Sequence, residues 1–180
     1  MKNYIFIKNK LNRFNKQIQV SADKSISIRS VLIASQAVGT SKISNLLESE
    51  DVLNSLKTIK KLGVNYSKVG KIYKIKGYGL NSFNIKNNTV LDAGNSGTLA
   101  RLILGLLVKS KTKVKLIGDK SLSKRDFKRI TDPLNKFGVN FNLNKNNGLP
   151  LTIKGNENLK PIYYKESRGS AQCKSSVIFA

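Results

Sequence analysis

Three short polar segments of the sequence carry residue types that bind anions. They span residues 21–29, 92–101 and 167–174, and each combines hydroxyl, amide or glycine residues with at least one basic side chain. Each segment leads into apolar residues with helical spacing, so we expect each to form the start of a helix. Free backbone N–H groups and the positive end of the helix dipole attract phosphate and carboxylate groups. The sequence therefore predicts three anion-binding helix starts, with ordinary helix capping as the alternative for each.

Two basic side chains in the first segment suit direct contact with an anion. Lys24 supplies a compact positive charge, and Arg29, one helical turn after Ser25, can offer a planar guanidinium to a phosphate or carboxylate. Each charge-assisted hydrogen bond of this kind contributes about 1.5–3 kcal/mol. The first segment therefore has the charge that a phosphate site needs.

The remaining candidates add uncharged groups and one more guanidinium. Gly97 lets the backbone come close to a ligand, and the amides of Asn95 and Gln172 can orient one. A fourth basic segment, residues 118–125, ends in Arg125 and lies between a predicted strand and a predicted helix. A solvated turn is the alternative interpretation of that segment.

An internal repeat separates these segments by regular intervals. Residues 56–66 and 132–141 each place apolar side chains at helical spacing ahead of a Gly-Val-Asn-aromatic ending. Gly63 and Gly138 stand where a left-handed helix C-cap is expected. The apolar positions of the two predicted helices are Val52, Leu56, Ile59 and Leu62, and Phe127, Ile130, Leu134 and Phe137. The pattern predicts two copies of one supersecondary unit.

Each unit combines helices and strands, which predicts an α/β fold. Opening helices are predicted over residues 26–37, 98–108 and 171–180, the first two followed by an alternating strand. The units open near Ser25, Ser96 and Ser170. The third has barely begun at residue 180, so we expect this chain to be the N-terminal piece of a longer protein. We assign residues 21–180 to a substrate-binding domain, and residues 1–20 to a strand segment that packs with an absent C-terminal domain.

Composition excludes several classes of site. The chain has 180 residues, 33 basic and 10 acidic side chains, a formal net charge of +23, no histidine and one cysteine, Cys173. Histidine-based zinc sites, Ser–His–Asp triads and internal disulfides are therefore impossible within it. No apolar run is long enough to cross a membrane or act as a signal peptide, so we expect a cytoplasmic protein without a membrane partner. The charge suits phosphorylated metabolites or nucleic acid, or reflects a bias toward lysine throughout the sequence.

Five motifs, taken in order, resemble those of the EPSP synthase family, the 3-phosphoshikimate 1-carboxyvinyltransferases. They lie at 23–29 with 45–51, at 92–98 with Arg101, at 118–122 with Arg125, at 149–153 and at 170–175. The resemblance implies an inside-out α/β barrel built from repeated βαβαββ units, which is incomplete here. It also implies transfer of the enolpyruvyl group of phosphoenolpyruvate to shikimate 3-phosphate in the shikimate pathway, with release of phosphate and with neither an organic cofactor nor a metal.

The resemblance also implies roles for individual residues. Shikimate 3-phosphate would be held by Lys24, Ser25, Arg29, Ser170, Ala171 and Gln172. Phosphoenolpyruvate would be held by Lys24, Asn95, Gly97, Arg125 and Gln172. The acid/base carboxylates are expected outside this chain, so we expect the 180-residue piece to be inactive alone and the full-length enzyme to be a monomer.

Two alternative functions follow from the same features. A related enolpyruvyl transferase acting on UDP-N-acetylglucosamine shares the fold, but its Lys-Asn opening is absent because Ser25 follows Lys24. A basic RNA-binding domain, similar to RNA 3′-phosphate cyclases, would use the +23 charge. RNA binders usually add exposed aromatic residues for stacking, whereas the aromatics here fall mostly at apolar-face positions. We therefore expect no nucleic-acid partner.

Overall fold

Helices and strands alternate along most of the chain. The computed structural model describes residues 5–6, 8, 15, 17–167 and 169–180. The helices are α1 (Lys24–Gln36), α2 (Glu50–Lys61), α3 (Gly97–Leu106), α4 (Lys120–Ser123), α5 (Lys128–Asn135) and α6 (Ala171–Phe179). The strands are β1 (Val38–Ser44), β2 (Asn65–Val69), β3 (Ile72–Tyr78), β4 (Thr89–Asp92), β5 (Val114–Ile117), β6 (Asn140–Asn142) and β7 (Leu151–Lys154). Of the helices in the described residues, none has both the length and the apolarity that crossing a bilayer requires.

Two sheets with the same internal order confirm the predicted repeat. The first sheet has the order β1-β3-β2, and the second has the order β4-β5-β7-β6. Strands β1, β2 and β3 correspond to β5, β6 and β7, and both trios pair antiparallel. Strand β4 adds a parallel edge to the second sheet. The described residues 17–23 ahead of α1 form no strand, so the structure shows no counterpart of β4 in that described stretch. The rest of the predicted segment 1–20 lies largely outside the described residues.

The hydrophobic core lies between the helices and the inner faces of the sheets. The predicted apolar stripes of α2 and α5 are confirmed, since all their members are buried except the half-buried Phe137. In β3, Tyr73, Ile75 and Gly77 point inward while the residues between them face outward or are half-buried. Helix α3 is buried from Gly97 to Gly105, so it runs through the interior. A helix buried on all sides can hold a site rigidly.

Helix ends follow local capping chemistry. Gly63 and Gly138 adopt φ values of +88° and +90°, as the predicted left-handed caps require. Helix α1 begins two residues earlier than predicted because the Asp23 carboxylate accepts a hydrogen bond from the Ile26 N–H at 2.7 Å. The sequence did not predict α4, which forms because the Asp119 carboxylate accepts from the Leu122 N–H at 2.7 Å.

Candidate anion-binding site

The first turns of α3 and α6 lie side by side. Contacts pair Thr98 with Gln172 and Arg101 with Ser176, so residue numbers rise together and the two helices run parallel. The two helices pack closely at Gly105, where a Cβ would lie only 2.1 Å from the Ser176 carbonyl oxygen. Two of the three predicted helix starts therefore meet at one place.

Two guanidinium groups flank Gly97 at the start of α3. A Cβ at this position would lie 2.8 Å from Nη1 of Arg101 and 2.8 Å from Nη1 of Arg125. Glycine is thus the residue that lets both groups approach the helix backbone. The exposed guanidinium of Arg125 beside a helix N-terminus suits contact with a phosphate or carboxylate, and the buried Arg101 adds positive charge next to it.

The Gln172 side chain joins α6 to this pair. The Arg101 Nη1 donates to its Oε1 at 2.7 Å, and its Nε2 donates to the Thr98 hydroxyl oxygen at 3.0 Å. Thr98 and Arg101 are both buried, whereas Gln172 is half-buried. The predicted ligand residue Gln172 is therefore held by two side chains of the neighbouring helix.

Arg101 carries its positive charge in a poorly solvated position. The residue is 8% exposed, and its guanidinium lies 5.5 Å from the centre of the Phe127 ring. Burial, followed by the nearby charges of Arg129 and Arg125, lowers the pKa of Arg101 below its ordinary value. Within the described part of the chain, its buried Nε has no hydrogen-bond partner. The region holds an excess of positive charge that an anion would offset.

The start of α1 reaches the same helix by a different contact. Arg29 Nη1 donates to the Ser25 carbonyl oxygen at 3.2 Å, and its Nη2 donates to the Ser175 hydroxyl of α6 at 3.3 Å. Lys24 instead pairs with Asp51 in the first turn of α2, with Nζ and Oδ2 2.9 Å apart. The structure therefore links Arg29 to α6 and holds Lys24 at α2.

Asn95 is also engaged with an acidic side chain. Its Nδ2 donates to Oδ2 of Asp119 at 2.6 Å. This hydrogen bond, followed by the one from the Leu122 N–H, lowers the pKa of the Asp119 carboxyl from its ordinary value of 3.8. The contact ties the loop before α3 to the start of α4.

The structure places the predicted residues in three groups. Gly97, Arg125 and Gln172 are brought together, and Arg29 lies against the same helix α6. Ser170 caps α6, because its hydroxyl accepts from the Cys173 N–H at 3.3 Å, and Ala171 is the exposed first residue of that helix. In the third group, Lys24 pairs with Asp51, Asn95 donates to Asp119, and the Ser25 carbonyl oxygen accepts from Arg29.

The residue that joins the first group, Arg101, was absent from the predicted site. Arg101 stands five residues after Ser96, close to the four-residue interval between Ser25 and Arg29 in the first unit. An arginine about one helical turn after the opening serine of each of the first two units was the signal that could have singled it out. Thr98 and Ser175 gave no such signal, because short hydroxyl side chains are common at helix starts.

Repeated α/β units here gather helix starts and guanidiniums into a site whose charge and hydrogen-bond donors suit small anionic ligands. The chain belongs to the EPSP synthase (3-phosphoshikimate 1-carboxyvinyltransferase) family, whose model matches residues 8–180. This confirms the resemblance seen in the sequence motifs.

Curated relatives and solved structures agree with this membership. The chain is 41% identical over 175 residues to a 3-phosphoshikimate 1-carboxyvinyltransferase of Streptococcus suis, covering 97% of this chain and 41% of the relative. It is 44% identical over 173 residues to the enzyme of that name from Caldicellulosiruptor saccharolyticus, covering 93% and 39%. An EPSP synthase structure from Acinetobacter baumannii matches with a TM-score of 0.83 at 34% identity, covering 90% of this chain and 37% of that one.

The mixed α/β fold expected from the sequence is confirmed by that structural match. The chain spans about two fifths of the length of these curated relatives. The activity of a whole enzyme therefore has to be inferred from the part of the site that this chain holds.

Proposed function

We propose that this chain is the N-terminal substrate-binding part of an enzyme that transfers the enolpyruvyl group of phosphoenolpyruvate to shikimate 3-phosphate. A bond forms between a hydroxyl oxygen of shikimate 3-phosphate and C2 of phosphoenolpyruvate, the bond between C2 and the phosphate oxygen breaks, and phosphate leaves with the hydroxyl proton. The observation that carries the proposal is the convergence of Arg101, Arg125 and Gln172 at Gly97 in a member of this family. Both substrates are anions with several acceptor oxygens, which donor-only guanidiniums recognise.

The residues of this chain bind and orient the substrates in this proposal. Arg29, Lys24, Ser25 and the start of α6 at Ser170, Ala171 and Gln172 hold shikimate 3-phosphate. Arg125, Asn95, Gly97, Lys24 and Gln172 hold phosphoenolpyruvate. For Lys24 and Asn95, the proposal requires that a substrate compete with Asp51 and Asp119, the partners they have here.

Proton transfer in this proposal depends on groups beyond the 180 residues. General acid and base catalysts must lie within hydrogen-bond reach of the reacting atoms, in a site from which water is largely excluded. We therefore expect no turnover from the isolated piece. A monomeric full-length enzyme, a cytoplasmic location and the domain division at residues 20 and 21 stay predictions.

The proposal is tested with the complete gene product. Arg29→Ala is expected to weaken shikimate 3-phosphate binding by about tenfold to a hundredfold, because each lost charge-assisted hydrogen bond contributes about 1.5–3 kcal/mol. Isothermal titration measures the affinity, and a coupled assay of phosphate release measures turnover. Lys57→Ala, which removes an exposed cation on α2, is the control and should leave both unchanged.

Two results would contradict the proposal. One is unchanged affinity in Arg29→Ala. The other is wild-type protein that releases no phosphate from the two substrates but binds single-stranded RNA with a steep salt dependence, as a basic RNA-binding domain would.

A further inference from the structure

The Arg101 side chain lies behind the candidate site, where it touches a predicted ligand residue. Its guanidinium donates to Gln172 Oε1 at 2.7 Å and, more weakly, to the Gly97 carbonyl oxygen at 3.4 Å. Its backbone carbonyl accepts from the Ser176 hydroxyl at 2.9 Å, which secures the residue to α6 from the other end. With 8% of its surface exposed, Arg101 contacts the protein interior more than solvent.

This contact determines which way the Gln172 amide points. Arginine has donors but no acceptor, so only the amide oxygen can face it. The amide nitrogen then faces Thr98, and one of its two hydrogens is used by the Thr98 hydroxyl at 3.0 Å. The second N–H is the group that Gln172 can offer to a ligand. A reversed amide would set its N–H against the guanidinium N–H.

The Arg101 position also carries features that oppose folding. Leaving a buried donor without a partner costs about 1–3 kcal/mol, and the Arg101 Nε is such a donor within the described residues. The neighbouring charges of Arg125 and Arg129 are also positive. An anion bound nearby would offset this positive charge, so the arrangement suits ligand binding.

We infer that Arg101 is a positioning residue, which fixes the Gln172 amide so that its free N–H faces the acceptor oxygens of an anionic substrate. The inference rests on the proposed function, which supplies the anion. Arg101 acts through Gln172 and does not need to touch the substrate. The arrangement selects ligands that offer acceptors at this point, because a donor group there would meet another donor.

A matched control separates this role from long-range electrostatics. Arg129 contributes to the positive potential at Arg101, but its side chain is exposed on α5. Arg129→Met removes the same charge from the cluster as Arg101→Met does, and leaves the contact between Arg101 and Gln172 in place. If charge alone matters, the two variants should weaken binding by similar factors.

The decisive experiment is a double-mutant cycle in the complete gene product. Isothermal titration gives the Kd values for both substrates in Arg101→Met, Gln172→Ala and the double variant. Arg101→Met is expected to raise Kd by about tenfold. The double variant should bind no more than about twofold worse than Gln172→Ala, because Arg101 has nothing left to position. Arg129→Met should change Kd by less than about threefold.

Outcomes that overturn the inference are distinct from those that support it. The inference would be overturned if the Kd increases of Arg101→Met and Gln172→Ala multiply in the double variant. It would also be overturned if Arg101→Met and Arg129→Met weaken binding equally. Arg101→Lys retains a donor toward Gln172 and should recover part of the affinity, and it replaces Arg101→Met if thermal unfolding shows that the methionine variant does not fold. No recovery in a folded lysine variant would also overturn it.

A readout without substrate separates this inference from the proposed function. In protein labelled with ¹⁵N-glutamine, the Gln172 side-chain amide signals are assigned by their loss in Gln172→Ala. We expect two sharp, well separated proton signals in wild type and Arg129→Met, and broadened signals in a folded Arg101 variant. If the wild-type protein binds neither substrate, the proposed function fails. Unchanged Gln172 signals in the folded Arg101 variant would refute the positioning role by themselves.

Discussion

The starts of α1 and α3 occupy equivalent places in the two repeat units but differ in the exposure and pairing of their charged side chains. At α1 the Lys24 side chain is 52% exposed and pairs with Asp51, and the position that corresponds to Gly97 is Ile26, which is 66% exposed. At α3, Gly97 is buried between two guanidiniums, and Arg101 is nearly closed off from solvent. The two units therefore share a scaffold, while residue identity at single positions sets the electrostatics.

The difference has an energetic consequence. Exposed ion pairs contribute about 0–1 kcal/mol, so the contacts of Lys24 are easily exchanged for contacts with a ligand. Buried groups with close neighbours tolerate change poorly, because interiors are packed as densely as organic crystals. We expect α1 to adapt to a bound anion and α3 to present a fixed surface.

The largest predicted effect tests the rigid side of this comparison. Gly105→Ala would set a Cβ 2.1 Å from the Ser176 backbone carbonyl oxygen and 3.1 Å from the Phe179 Cβ. We expect the free energy of unfolding to fall by about 2 kcal/mol, since overpacking against backbone typically costs about 1–3 kcal/mol. Helix propensity alone predicts the opposite sign, a gain of about 1 kcal/mol. Urea unfolding measures the change.

The control for this variant is the equivalent position of α1. Ala34→Gly removes a buried methyl group and is expected to cost about 1 kcal/mol, mainly through helix propensity. A Gly105→Ala protein as stable as wild type would show that α3 and α6 can separate without cost, and the contrast between the two helices would be lost.

An intermediate effect is expected at Gly97, mainly on binding. Gly97→Ala places a Cβ 2.8 Å from Nη1 of Arg101 and 2.8 Å from Nη1 of Arg125. The exposed Arg125 side chain can swing away, whereas the buried Arg101 has to shift against its contacts. We expect substrate affinity to fall by about tenfold, or about 1.4 kcal/mol, as charge-assisted contacts are displaced, with a smaller loss in the free energy of unfolding than in Gly105→Ala. Isothermal titration measures the affinity. Ile26→Ala is the matched change at α1, and an equal loss there would argue that the two starts are equivalent.

The smallest effect is expected at the exposed ion pair. Asp51→Asn removes the partner of Lys24 and should lower the free energy of unfolding by less than about 1 kcal/mol. The loss should shrink as salt is added, because screening weakens exposed pairs. Glu157→Gln, which breaks the more exposed pair with Lys111, is the comparison and should cost still less. A loss above about 2 kcal/mol in Asp51→Asn would show that α1 is held as firmly as α3.

Local sequence patterns predicted the helices well where a single local feature, such as an apolar stripe or a glycine cap, determines them. The stripe of Val52, Leu56 and Ile59 predicted the buried face of α2, and Gly63 predicted its left-handed cap. Helix α4 was missed because a four-residue helix has too few residues for a periodic pattern. It is formed instead by the Asp119 cap.

The sequence predicted the residues of the candidate site better than it predicted the contacts that those residues make. The motifs identified Gly97, Arg125 and Gln172, which the structure brings together, but Arg101 was left out of the predicted set. The engagement of Lys24 and Asn95 with acidic partners could not be read from spacing. Asp51 and Asp119 lie 27 and 24 residues away in the chain, and folding sets those distances.

Short-range patterns in the sequence specify the repeated α/β unit, the caps of its helices and the residue types available for binding anions. These features depend on interactions within a few residues of one another, whose geometry is the same in any fold. Three further features arise only when distant elements pack: α3 and α6 run parallel and in contact, two guanidiniums flank Gly97, and Arg101 contacts Gln172. Such contacts depend on how buried helices pack, and packing selects partners by shape and burial rather than by separation along the chain.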